Sequence, residues 1–155
     1  MQSDETLSEQ QQPAINSPAS PGGPNGLPRL RVLIADDSVA LCDRLVNMFA
    51  EIDGVEIVGL AKDVASAGAA INELSPDVAI LDIQMPGGSG IDVLKALKAS
   101  RSKSIAIMLT NHPYPQYQQK CLELGADYFF SKSTDAKRLL EVIGQLANRQ
   151  VYLHE

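Results

Sequence analysis

Residues 75–90, SPDVAILDIQMPGGSG, hold the stretch whose reading decides the fold. Val78-Ala79-Ile80-Leu81 is an unbroken apolar run after Pro76, the pattern required of a strand buried on both faces. Asp82 ends the run, and the turn residues Pro86-Gly87-Gly88 follow. A carboxylate at the carboxyl end of a buried strand points out of the sheet edge where open α/β sheets bind ligands. Asp82 is therefore the leading candidate for chemistry.

Strand and helix alternate on both sides of this stretch. Upstream, residues 30–35 (LRVLIA) form a short apolar, β-branched run stopped by Asp36-Asp37-Ser38, where a carboxylate or the serine caps a following helix. Leu41, Leu45, Met48, Phe49 and Ile52 mark one face of that helix. Asp53-Gly54 is a turn, residues 55–61 read as a second strand, and Val64, Ala67, Ile71 and Leu74 make a second helical stripe halted by Pro76. Downstream, Ile91, Leu94 and Leu97 mark a third helix, and residues 104–109 a buried strand that ends on Thr110. A helix carrying Tyr117, Cys121 and Leu124 follows Pro113 and Pro115, with Gly125 as its stop. Residues 127–130 give a fifth strand ending near Lys132. Leu139, Leu140, Ile143, Leu146 and Ala147 line the last helix, and Asp135 suits the positive end of its dipole.

Five strands each followed by a helix require right-handed crossovers, hence a parallel sheet covered on both faces. The expected class is a doubly wound α/β domain. Before it, residues 1–29 hold five of the nine prolines together with Ser, Gln and Gly, and read as a disordered tail. The domain is expected over residues 30–149, with a C-terminal tail at 150–155.

Composition narrows the function. At 155 residues, 45% of them hydrophobic, the chain supports one well-buried core. A net charge of −6 leaves no basic stripe to displace counterions from a phosphate backbone, so direct DNA binding is not expected. Cys42 and Cys121 lie apart in apolar helical patterns, which argues for reduced thiols and a cytoplasmic location rather than a disulfide or zinc site. No apolar run reaches membrane-span length, and the N-terminus lacks the features of a signal or transit peptide.

The strand ends carry the chemistry. Asp36 and Asp37 end strand one, Asp82 strand three and Thr110 strand four, and Lys132 follows strand five, all at one edge. Three carboxylates so placed repel unless compensated. Lys132 supplies one positive charge, and a hard, oxygen-seeking divalent cation, Mg2+ before zinc or copper, suits the remainder. Carboxylate, cation, hydroxyl and ammonium are the parts of a phosphoryl-transfer site in which an aspartate attacks in line, and Asp82 is the best-placed nucleophile. Any one of these residues alone reads as a cap or a surface group; the constellation reads as a site.

With Asp36-Asp37 as an acidic pair, Asp82-Ile83-Gln84-Met85-Pro86-Gly87 around an acceptor aspartate, then Thr110 and Lys132, residues 30–149 closely resemble the receiver domain of bacterial two-component response regulators. The resemblance implies a flavodoxin-like sheet of order 2-1-3-4-5. It implies that Asp82 is the phosphoacceptor and that Asp37, Asp82 and the backbone carbonyl of Gln84 ligate Mg2+, with Asp36 acting mostly through metal-bound water. Lys132 would pair with Asp82 or its phosphoryl group. Thr110 would swing toward that group and make room for an aromatic to turn, which by spacing is Phe129, with Tyr128 and Phe130 as competitors.

The implied partners are a sensor histidine kinase or histidine phosphotransfer protein as donor and a downstream protein as target. No output domain follows in the sequence, so a stand-alone regulator is expected. The residues also depart from the family pattern. Asn111 after Thr110 is expected to narrow access to Asp82, and Ser133 in place of a proline after Lys132 predicts a trans bond. These departures motivate the alternative of an interaction module without a phosphorylation-driven switch. An aspartate-nucleophile phosphatase fits poorly, because Asp36-Asp37-Ser38-Val39 lacks the second aspartate two residues after the first, and a dinucleotide site lacks its glycine-rich loop.

Overall fold

Alternation of short apolar strands with amphipathic helices builds the architecture seen in the computed structural model, which describes residues 29–100 and 102–153. The order is β1 (Leu30–Ala35), α1 (Val39–Phe49), β2 (Val55–Ala61), α2 (Val64–Leu74), β3 (Val78–Leu81), β4 (Gln84–Met85), β5 (Gly88–Ser89), α3 (Gly90–Ala99), β6 (Ile105–Thr110), α4 (Pro115–Glu123), β7 (Tyr128–Ser131) and α5 (Ala136–Leu153). Five strands form one parallel sheet in the order β2-β1-β3-β6-β7. This is the flavodoxin-like order expected from the sequence. The two extra strands, β4 and β5, form a small antiparallel hairpin within the turn after β3. Among the described residues no peptide bond is cis, so Lys132–Ser133 is trans as expected.

Side chains alternate across the sheet and define two cores. Leu30, Val32 and Ile34 pack with Cys42, Leu45 and Phe49 of α1 and with Leu139, Ile143 and Leu146 of α5. Leu33 and Ala35 face the other way, against Ala67 and Ile71 of α2, Val93, Leu94 and Leu97 of α3 and Cys121 of α4. Every residue of β3 is buried, because helices cover both of its faces.

Local chemistry sets the helix ends. Ser38 caps α1 by accepting from the Leu41 N–H, and Asp63 and Ser66 form a reciprocal capping box at the start of α2. Ser75 closes α2 in the left-handed region at φ 45°, and Gly125, at φ 102°, follows α4. Asp135 differs from its expected role: its carboxylate accepts from the Ser131 N–H at 2.7 Å and so ties the end of β7 to the start of α5. Helix α5 continues past Arg149 to Leu153, since no Gly or Pro intervenes to stop it. The expected tail over residues 1–28, and residues 154–155, lie outside the described residues.

Candidate functional site

The ladder of the sheet extends one residue past the strand ends and thereby places the charged side chains. The Asp36 N–H donates to the Ala61 carbonyl at 2.8 Å, the Asp82 N–H to Ala35 at 3.0 Å and the Lys132 N–H to Thr110 at 2.8 Å. Three residues far apart in the chain are thus held on adjacent strands at one edge. The Lys132 Nζ lies 2.6 Å from Asp36 Oδ2 and 3.1 Å from Asp82 Oδ2, with side chains only 10%, 3% and 7% exposed. Asp37 stands beside them, exposed, and one carboxylate oxygen from each of Asp36, Asp37 and Asp82 lies within 4.8 Å of the others.

This geometry leaves negative charge in excess. Burial and then the Asp36 carboxylate push the Asp82 carboxyl above its usual range, while Lys132 and the Gln84 N–H, donating at 3.3 Å, act in the opposite sense. Burial alone would lower the Lys132 ammonium, but its bonds to Asp36 and Asp82 outweigh this and hold it above its ordinary value. One ammonium faces three carboxylates, so the oxygen set suits a hard divalent cation such as Mg2+. Asp37, Asp82, Gln84 and Lys132 line an open pocket of about 390 Å³, together with Ser38, Met85, Pro86, Asn111 and His112.

The approach of α3 fixes the floor of the site. A Cβ on Gly90 would stand 1.9 Å from the Asp82 carbonyl oxygen, and the Gly90 N–H donates to the Ile83 carbonyl at 2.8 Å. No side chain fits there. The hairpin then folds Gln84 opposite Ser89, whose hydroxyl caps α3 by accepting from the Ile91 N–H.

The sequence candidates divide accordingly. Asp36, Asp37, Asp82 and Lys132 come together, and Gln84 joins the pocket wall. Thr110 is fully buried at the end of β6; its Oγ1 accepts from the His112 N–H at 3.0 Å and it does not line the pocket. Phe129 packs on the α2–α4 side of the sheet, whereas Tyr128 and Phe130 pack on the α1–α5 side and stack on each other. Sequence reasoning missed the close Asp36–Lys132 pair, the need for glycine at position 90 and the place of His112 in the pocket. The Ser89-Gly90 pair at the head of a helical stripe was the one local signal for the second.

A family profile described as the response regulator receiver domain matches residues 32–144. The chain belongs to that family. A protein-glutamate methylesterase/protein-glutamine glutaminase of Myxococcus xanthus is 34% identical over 76% of this chain and 34% of its own length. The response regulator domain of Thermotoga maritima CheB shares 30% identity at a TM-score of 0.70, covering 77% of this chain and 97% of that one. A chain in the CheX–CheY–BeF3–Mg complex of Borrelia burgdorferi shares 29% identity at a TM-score of 0.71 over 78% of this receiver and 90% of that chain. The chain spans less than two thirds of the length of the curated relatives it matches. Among the described residues no helix is long and apolar enough to cross a membrane.

Proposed function

We propose that this receiver, over residues 30–149, accepts a phosphoryl group on Asp82 from a phosphohistidine donor, a sensor kinase or a phosphotransfer protein, and so switches a surface that binds a downstream protein. The observation that carries the reading is Lys132, bridging Asp36 and Asp82 at the wall of a pocket that also holds Asp37. An Asp82 carboxylate oxygen attacks phosphorus, the P–N bond to the donor imidazole breaks, and the imidazole leaves with a proton. Lys132 answers charge on the transferring oxygens. Asp37, Asp82 and the Gln84 carbonyl would hold Mg2+, with Asp36 acting through a bound water. That ion would neutralise phosphoryl charge.

Thr110 and Phe129 would then read the new charge, the first by turning its hydroxyl toward the phosphoryl oxygens, the second by moving into the space it leaves. Phe129 is favoured over Tyr128 and Phe130 because it alone of the three packs toward α4. The protein catalyses at most its own phosphorylation and dephosphorylation. It would act in the cytoplasm, consistent with its two free, buried cysteines, and without direct contact to DNA or membrane.

A second reading, a receiver-like interaction module without switching, is favoured by the Thr110 hydroxyl being buried and already engaged with the His112 N–H. Mass spectrometry of the protein incubated with phosphoramidate, with and without Mg2+, separates the two. The phosphoacceptor reading requires one added phosphoryl group that depends on Mg2+ and is absent in Asp82→Ala. An unlabelled wild type, or label that persists in Asp82→Ala, overturns it.

A further inference from the structure

A row of rings leads away from the pocket. His112 lines the pocket beside Asp82 and Lys132, and its ring centroid lies 5.8 Å from that of Tyr114, which in turn lies 5.6 Å from that of Tyr117. The backbone ties the same residues together: the Tyr114 N–H donates to the His112 carbonyl at 2.8 Å and the Tyr117 N–H to the Tyr114 carbonyl at 3.0 Å. Tyr114 is the N-cap of α4, makes no side-chain cap bond and is followed by Pro115 in the first turn.

Helix α4 is also lightly anchored. Cys121 is its only buried residue, whereas α1 buries Cys42, Leu45 and Phe49, and α3 buries Gly90, Val93, Leu94 and Leu97. An element with so little buried apolar surface sits at the low-stability end of a fold and is the one a local change moves most readily. Its first and last turns carry the exposed Tyr114 and Leu122.

We propose that His112 is a positioning residue of the site, and that the row His112–Tyr114–Tyr117 couples occupancy of the Asp82 pocket to the setting of the amino end of α4. The coupling rests on the phosphoacceptor reading and names how its signal leaves the site. An anion on Asp82 brings acceptor oxygens into a pocket whose wall holds the His112 ring, with its N–H donor. The Thr110 hydroxyl now accepts from the His112 N–H. Turning that hydroxyl to donate to the anion disturbs this bond, so the segment from Asn111 to Tyr114 takes a new setting. Rings in contact shift together, and because Tyr114 caps α4, its new setting alters the first turn of the helix.

The test follows the Tyr117 ring by NMR while the full chain is titrated with Mg2+ and beryllofluoride, with the fluorine signal reporting pocket filling independently. Tyr117 resonances are expected to shift in proportion to filling in wild type and in Tyr114→Phe, which keeps the ring contact. The shift is expected to vanish in His112→Ala and Tyr114→Ala while filling persists. Tyr114 is half-exposed, so its alanine variant keeps the fold and decides the question alone should His112→Ala fail to fill. A full Tyr117 response in Tyr114→Ala, or none in a filled wild type, overturns the coupling. A wild type that never fills overturns the phosphoacceptor reading first and the coupling with it.

Discussion

The two edges of the sheet carry carboxylates of the same kind in opposite circumstances. At the amino edge, Asp77 accepts from the Arg31 N–H at 2.8 Å, and Asp127 accepts from the Ala106 N–H at 2.9 Å and meets Lys98 at 3.3 Å. At the carboxyl edge, Asp36 and Asp82 share one ammonium, with Asp37 beside them. Parallel strands begin with unpaired N–H groups and end with unpaired carbonyls. A carboxylate at the amino edge therefore finds donors in the backbone, while one at the carboxyl edge stands among acceptors and needs a cation. Cavity size points the wrong way: the larger hollow, about 660 Å³, lies at the amino edge between Pro76, Ser104 and Leu146, where the Ser104 hydroxyl donates to the Pro76 carbonyl.

The contrast is sharpest in covalent labelling. Asp82→Asn is expected to abolish uptake of a phosphoryl group from a small donor, read by mass spectrometry. Asp77→Asn is expected to leave labelling intact and to cost about 1–2 kcal/mol in urea unfolding, since it weakens a charged bond to a backbone N–H. Labelling of Asp82→Asn would break the comparison outright.

Removing the cation at each edge comes next. Lys132→Met leaves two buried carboxylates unanswered and is expected to cost about 3 kcal/mol, partly restored by Mg2+. Lys98→Met breaks a half-exposed pair and is expected to cost no more than about 0.5 kcal/mol. The Lys132 ammonium is held above its ordinary value, so its contribution is complete below about pH 10 and is lost as pH rises through the folded-state value. The gap between wild type and Lys132→Met should therefore stay level from neutral pH upward and close only in strong alkali.

Backbone approach gives a third contrast. Gly90→Ala drives a Cβ into the Asp82 carbonyl and is expected to cost about 2–3 kcal/mol, with slower labelling. Gly68→Ala, with nothing near its added Cβ inside α2, is expected to gain about 0.5–1 kcal/mol in the same unfolding assay.

The smallest effect has the most telling sign. Burial and Asp36 hold the Asp82 carboxyl above its usual value, so the folded state favours the protonated form. Its ionisation penalises folding at neutral pH, and the penalty is relieved as pH falls through the folded-state value. Without divalent ions, Asp82→Asn is expected to melt about 3 °C above wild type at neutral pH, the response to roughly 1 kcal/mol at this length. Scanning calorimetry should show the advantage shrinking in acid. An equal or lower melting temperature at neutral pH would show that the edge carries no excess charge.

Much of the fold was legible because strands buried on both faces read as continuous apolar runs. β1, β2 and β3 stand at the bounds that composition and turns suggest. β6 and β7 begin and end one residue later than expected, for a reason the apolar pattern does not carry: Thr110 and Ser131 are polar yet pair with each other in the ladder. The hairpin of β4 and β5 was equally hidden, since Pro86-Gly87-Gly88 reads as a turn whether or not its flanks pair. Of the site, the candidate residues were legible as polar groups at successive strand ends. Their partners were not.

The residue order by itself determined the strand and helix periods, the parallel sheet they imply and the edge at which Asp36, Asp37, Asp82, Thr110 and Lys132 fall. These follow from local sterics, from burial and from the handedness of crossovers, all written in near-neighbour patterns. Only the tertiary structure decided that Lys132 sits closer to Asp36 than to Asp82, that Thr110 spends its hydroxyl on His112 and that Gly90 leaves no room for a side chain against Asp82. Those depend on register and on distances across neighbouring strands, where a fraction of an ångström selects the partner, and no periodicity along one strand encodes a distance to the next.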